Sequence, residues 1–205
     1  KRTFKLSLGD VSEGRVLPFI MNEIDKKASN VALGSYAYSR SDQVHALATN
    51  NLDFVVDPVI PASDEIDSFK VFEDDWVAMH RDGHHLADIE NVTIEDILNQ
   101  RHLHVSNRRR GLHLIDLELD KIGYRREVAL RCQHFLIAPQ ILRSTDLVLM
   151  GTRSFAIANN LPFIEVPIEI PSMEYFLIWH KSDEGDGGHL WMKDLIIKAF
   201  IDAKK

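Results

Sequence analysis

A short apolar run followed by an amphipathic stretch of helical period, repeated along most of the chain, is what most restricts how this sequence can fold. "TFKLSLG" (Thr3–Gly9) alternates Phe4, Leu6 and Leu8 at the two-residue period of a strand. "DVSEGRVLPFIMNEIDKKA" then places Val16, Leu17, Ile20, Met21 and Ile24 at helical spacing. Asp10 or Ser12 is its expected N-cap, and the closing lysines suit a helix C-terminus. "NVALGSYAY" reads as a second strand. "SDQVHALATNN" reads as a helix capped by Ser41, with Val44, Leu47 and Ala48 on one face, and "LDFVVD" (Leu52–Asp57) as a third strand of buried type.

Pro58 to Ser68 is a loop by composition, and "FKVFEDDWVAMH" is an extended passage long enough to lead from one lobe into another. Past the turn "RDGHH" the alternation resumes. Helices are expected at "TIEDILNQ", "GLHLIDLELDKIG", "QHFLIAPQILRST" and "TRSFAIANN", with strands at "LHVSN", "EVALRC" and "DLVLMG" between them. "LPFIEVPIEI" and "MEYFLIWH" are extended, "GDGG" is a turn, and "HLWMKDLIIKAFIDAKK" closes the chain as a helix. Strands alternating with helices favour parallel sheets with right-handed crossovers. Two such runs, joined near Phe72–Met79 and again near Tyr175–His180, predict an α/β fold of two Rossmann-like lobes with a cleft between them. Residues 1–74 with 178–205 form one lobe and residues 75–177 the other.

Composition narrows the function. Apolar residues at 45% supply a core, yet no uninterrupted apolar run approaches the ~20 residues that span a bilayer, so no membrane partner is expected. The single cysteine, Cys132, rules out an intrachain disulfide and fits a reducing cytoplasm. A net charge of -7 repels phosphate backbones, so this chain is a poor nucleic-acid-contacting surface. The one basic run, "NRRRG" (Asn107–Gly111), reads as a solvated helix start or loop cap rather than a phosphate patch.

In open α/β sheets ligands lie beyond the carboxyl ends of strands, against helix starts. That rule selects Asp10, Val11 and Ser12; Arg40 and Ser41; Ser106 and Asn107; Cys132, Gln133 and His134; and Gly151 and Thr152. Gln133 and His134, a polar pair inside the apolar "LRCQHFLIAP", then fall in the first turn of a helix. They are either pocket groups or side chains bonded to nearby backbone. Catalytic alternatives are thin. "HRDGHH" suggests a metal site, but Gly83 marks a turn rather than a helix with i, i+4 histidines, so a surface turn with incidental histidines is expected. The chain has no G-x-S-x-G elbow, Walker loop or G-x-G-x-x-G. Cys132 is expected to be a small buried residue, the acids near Asp183–Asp186 lack calcium-loop spacing, and neither an enzyme nor a resident cofactor is predicted.

Several blocks carry a family likeness. "FKLSLGDVSEGRVLPFIMNEI", "NNLDFVV", "VFEDDWVAMHRDGHHL", "TIEDIL", "HFLIAPQILRSTDLVLMGTRSFA" and "IWHKSDEGDGGHLWMKDLI" together resemble the C-terminal effector-sensing domain of LysR-type transcriptional regulators, closest to the salicylate- and flavonoid-sensing branch. The resemblance covers essentially the whole chain. It implies a periplasmic-binding-protein-like (type 2) pair of lobes, with an aromatic or carboxylate effector held in the cleft. The matching pocket positions are Asp10, Val11, Ser12, Arg40, Ser41, Ser106, His134 and Phe135. It further implies a homodimer or tetramer, and contact with DNA only through an N-terminal winged helix-turn-helix that this chain does not include. Prolines usual in the family are absent from "GHHL" and "LMGTRS", the second change bearing on the pocket wall near Gly151–Arg153. A transport-associated solute-binding protein of the same architecture is the alternative.

Overall fold

The structure, a computed structural model, describes residues 2–106 and 113–202. In chain order the elements are β1 (Arg2–Ser7), α1 (Asp10–Lys27), β2 (Val31–Ser35), α2 (Arg40–Ala48), β3 (Phe54–Asp57), β4 (Ile66–Asp74), β5 (Trp76–Met79) and α3 (Ile94–Leu98). They continue with β6 (Arg101–Val105), α4 (Leu114–Lys121), β7 (Glu127–Cys132), α5 (Ala138–Arg143), β8 (Leu149–Thr152), α6 (Arg153–Ala158), β9 (Phe163–Glu165), β10 (Met173–His180) and α7 (Gly187–Asp202). The chain divides into two compact units, Lys1–Glu73 with Glu174–Lys205, and Asp74–Met173.

The first unit is a five-stranded sheet in the order β2-β1-β3-β10-β4. β1 runs parallel to both β2 and β3, and β10 is antiparallel to β3. Alternation along the strands sends their side chains to two cores. Phe4, Leu6, Phe54, Val56, Leu177 and Trp179 pack against Val16, Ile20 and Ile24 of α1 and Met192, Ile196 and Phe200 of α7. Val55 and Ile178 face the other way, onto Ala46 and Leu47 of α2. The helical period of α1 therefore buries the face expected, except that Met21 is 38% exposed, at the edge of the apolar stripe. Ala48 of α2 likewise faces solvent, while Ala46 and Gln43 take the buried positions.

The second unit holds an antiparallel sheet in the order β8-β5-β9 and a parallel pair β6-β7. A single parallel bridge, His102 to Val148, connects β6 to the chain entering β8. The extended passage of the sequence is thus two strands of separate sheets, with β4 already starting at Ile66 inside the expected loop.

Three local expectations are corrected. The N-cap of α1 is Gly9 and that of α2 is Ser39, so Asp10, Ser12 and Ser41 lie inside their helices rather than capping them. The helix expected from Gln133 begins only with a 3-10 turn at Phe135–Ile137 and α5 at Ala138. Pro139, lacking an N–H, is accommodated only in a first helical turn, and it fixes that start. The basic run Asn107–Gly111 lies outside the described residues, as does the start of the helix expected from Gly111.

Candidate functional site

In the first unit the parallel pairing of β1 with β2 sets two strand ends side by side, Leu6 opposite Ser35. Asp10 opens α1, its Oδ1 accepting the Val11 N–H at 3.1 Å, while Ser12 is only 8% exposed. The Ser35 hydroxyl donates to the Glu13 carboxylate and so ties β2's end to α1's first turn. Arg40 opens α2. Its Nε donates to Asp57 Oδ1 at 2.7 Å, and its side chain stays 29% exposed. Ser41 lies in an exposed cluster with the Ser39 hydroxyl (2.7 Å) and the Asp42 carboxylate. The unit thus brings Asp10, Val11, Arg40 and Ser41 to one end of its sheet and puts Ser12 inside the α1 packing.

The second unit gathers its candidates more loosely. The Ser106 N–H donates to the Cys132 carbonyl at 2.9 Å, which sets Ser106 beside the end of β7. Gln133 and His134 are both exposed, in the turn between β7 and the 3-10 helix. The polar pair therefore interrupts no core; the apolar run is broken by a surface turn. Cys132, expected to be buried, is half-buried, its thiol 3.9 Å from the His134 carbonyl. Phe135 meets Phe155 of α6 edge-on at 5.3 Å. Thr152 is buried opposite Trp76 and occupies the N-cap position of α6, but its side chain makes no cap bond. Asp74 does that work instead: its carboxylate accepts the Ser154 N–H at 3.2 Å and the Ser154 hydroxyl. Nothing local in the sequence indicates this, because Asp74 lies 80 residues away at the end of β4.

Charge separates the two strand-end arginines. Arg153 borders a 570 Å³ cavity with Asp75, Trp76, Glu165 and Glu169, and Glu165 fills its fork through both Nη groups. In Arg40 only Nε is engaged among the described residues, so the Nη edge is open to a planar anion.

Two of the three histidines of "HRDGHH" are not incidental, which corrects the surface-turn expectation for them, while Asp82, Gly83 and His85 are exposed as expected. His80 and His84 are buried. His84 Nδ1 accepts the Leu86 N–H and caps the short turn His85–Asp88, while Nε2–H donates to the Asp146 carbonyl at 3.2 Å. Burial above all holds its pKa below the ordinary histidine value, helped by neighbouring His85 and His80. Among the described residues no group of three or more His, Cys, Asp and Glu could hold a metal ion.

The sequence pattern of the LysR substrate binding domain matches residues 1–200. The chain is 23% identical over 206 residues to the transcriptional activator NagR of a Ralstonia species, covering 98% of this chain and 68% of NagR. Its identity to the activator NahR of Pseudomonas putida is also 23%, with the same coverage. Among solved structures, the regulatory domain of MexT, a transcriptional activator in Pseudomonas aeruginosa, superposes with a TM-score of 0.82 at 20% identity, covering 97% of this chain and 98% of that one. The effector-binding domain of QuiR in complex with shikimate gives 0.78 at 12% identity, covering 98% and 97%. The curated relatives carry the names of transcriptional regulators, not of enzymes.

Proposed function

The chain belongs to the LysR substrate-binding domain family, and on that premise we propose that it senses a small carboxylate, aromatic or alicyclic, and passes the bound state to a DNA-binding domain that controls transcription. The observation that carries the reading is Arg40: an arginine whose side chain is 29% exposed at the carboxyl end of the first sheet, with its Nη edge unengaged among the described residues. A carboxylate accepts two parallel N–H bonds from such an edge, a charge-assisted pair stronger than neutral hydrogen bonds. Asp10, Val11 and Ser41 border the same sheet end, and Ser12 lies just behind it. QuiR, of like fold, was solved with shikimate, itself a carboxylic acid. Within the second unit, His134 is offered as a donor to ligand oxygen and Phe135 as an apolar wall, with Ser106 and Thr152 as further candidates.

Signalling requires the effector to favour one conformation of the domain over another, since equal affinity for both shifts nothing. The reading includes self-association as a dimer and action in the cytoplasm, where the DNA is. Among the described residues no helix is long and apolar enough to cross a membrane.

A thermal-shift series with benzoate, salicylate and shikimate tests the proposal, because a ligand bound only by the folded state raises apparent stability by about 2.7 kcal/mol at a hundred times its Kd. At least one acid is expected to raise the melting temperature. Arg40→Ala should abolish that shift, and His134→Ala should weaken binding by calorimetry while leaving the unliganded melting point in place. Silence from all three acids, or a full shift in Arg40→Ala, would refute the reading.

A further inference from the structure

We infer that Asp57 is a positioning residue for effector recognition: it grips Arg40 by Nε alone and so aims the guanidinium's Nη edge at an incoming carboxylate. The inference rests on the effector reading above and adds to it a residue that the sequence did not single out.

Asp57 ends β3, a strand paired on one side with β1 and on the other with β10, where Phe176 stands opposite it. Its side chain is 15% exposed. Oδ1 accepts the Val59 N–H at 2.8 Å as well as Arg40 Nε–H at 2.7 Å. The carboxylate is therefore anchored to backbone before it touches the arginine, and the arginine inherits that fixity. A guanidinium carries five N–H donors in one plane. A bond at Nε fixes the orientation of that plane and uses one donor, whereas Glu165 takes both Nη groups of Arg153 and closes its fork. Asp57 also places a negative charge behind the fork. It thereby weakens the attraction of Arg40 for any anion, while orientation favours the planar two-point fit of a carboxylate.

Orientation and charge are separable by substitution. Asp57→Asn keeps a carbonyl oxygen for Nε and for Val59 N–H but removes the charge; Asp57→Ala removes both. Calorimetry on the whole chain uses the tightest binder among benzoate, salicylate and shikimate, together with its primary amide, which has the same shape and no charge. In Asp57→Asn the acid should bind about fivefold tighter, a gain that shrinks as salt is added, and the amide should be unchanged. In Asp57→Ala the acid should bind roughly tenfold weaker than in wild type, although the same charge is gone. If Asp57 acts by charge alone, both variants tighten equally; if it only supports the fold, acid and amide weaken together along with the melting temperature. Either result overturns the inference while leaving effector binding standing. Failure of the wild-type chain to bind any of the three acids removes the effector reading and this inference with it.

Discussion

Two arginine–aspartate pairs of the same chemistry sit in different surroundings in the two units. Arg40 and Asp57 join α2 to β3 in the first, and Arg126, just before β7, joins Asp116 of α4 in the second, with nearly identical Nε–Oδ1 distances of 2.7 and 2.6 Å. The aspartates are equally shielded, their side chains 15% and 14% exposed. The arginines are not: Arg40 is 29% exposed and Arg126 only 2%. Arg126 Nη2 lies 3.4 Å from His104 Nδ1, and Nη1 is buried with no hydrogen-bond partner among the described residues. The two pairs therefore differ in whether the cation can still reach water, which the proposed recognition role of Arg40 requires.

The largest effect should come from breaking the buried pair. Burial alone would raise the Asp116 pKa, but the Arg126 hydrogen bond and charge, together with the His113 N–H and ring, outweigh it and hold the carboxyl below its ordinary value. Arg126→Met seals Asp116 in without its counter-ion, which costs about 3–5 kcal/mol in a buried pair. Adding Asp116→Leu should restore much of the loss, because the desolvation of both charges and the unmet Nη1 donor disappear together. Arg40→Met, by contrast, opens Asp57 to water and should cost about 1 kcal/mol or less. Urea unfolding of the four proteins measures this. Equal losses at the two arginines would break the comparison.

The same buried surroundings set an acid limit. His102, fully buried at the start of β6, has its pKa pushed down to about 4 by burial first and by the Arg126 charge second. The unfolded chain protonates it near 6.5, so between those values the unfolded state binds the proton that the folded state refuses. The contribution is complete above about pH 6.5 and is lost as pH falls toward 4. A fall from 6.5 to about 4 corresponds to about 3 kcal/mol. Unfolding free energies at pH 7, 6 and 5 should decline, and a stable His102→Gln variant should decline less. Identical slopes for the two would remove His102 as the cause.

How much of this the sequence could reveal follows from the range of each interaction. The α/β alternation was legible because strand and helix periods are local, and the period selected Phe4, Leu6, Val16, Ile20 and Ile24 of the first core, though it also selected the exposed Met21. The candidate positions at β1 and β2 were legible because the strand-end rule is topological. Their electrostatic states were not. Asp57 reaches Arg40 across 17 residues, Asp74 reaches Ser154 across 80, and His84 meets the Asp146 carbonyl across 62. Only the fold brings those partners together, and they decide whether an arginine fork is open and whether a histidine turn is buried. Pro139 is the opposite case: its missing N–H was visible in the sequence, and weighing it would have moved the helix start away from Gln133 and His134.

The smallest effect is expected one residue before the largest. Arg125 bonds Asp120 of α4 at 3.1 Å, just as Arg126 bonds Asp116 one helical turn earlier. Chain position, helix and chemistry are thus nearly matched, and only exposure differs: Arg125 is 87% exposed and Asp120 52%. In water the attraction is screened and holding two long side chains in one geometry costs entropy, so such pairs contribute about 0–0.5 kcal/mol. Arg125→Met should leave the urea midpoint almost where it is, and added salt should erase what difference remains. A loss near that of Arg126→Met would mean that the helix-to-strand junction itself, not the burial of one cation, makes the arginine matter. The distinction between the Arg126 and Arg40 pairs would then lose its physical basis.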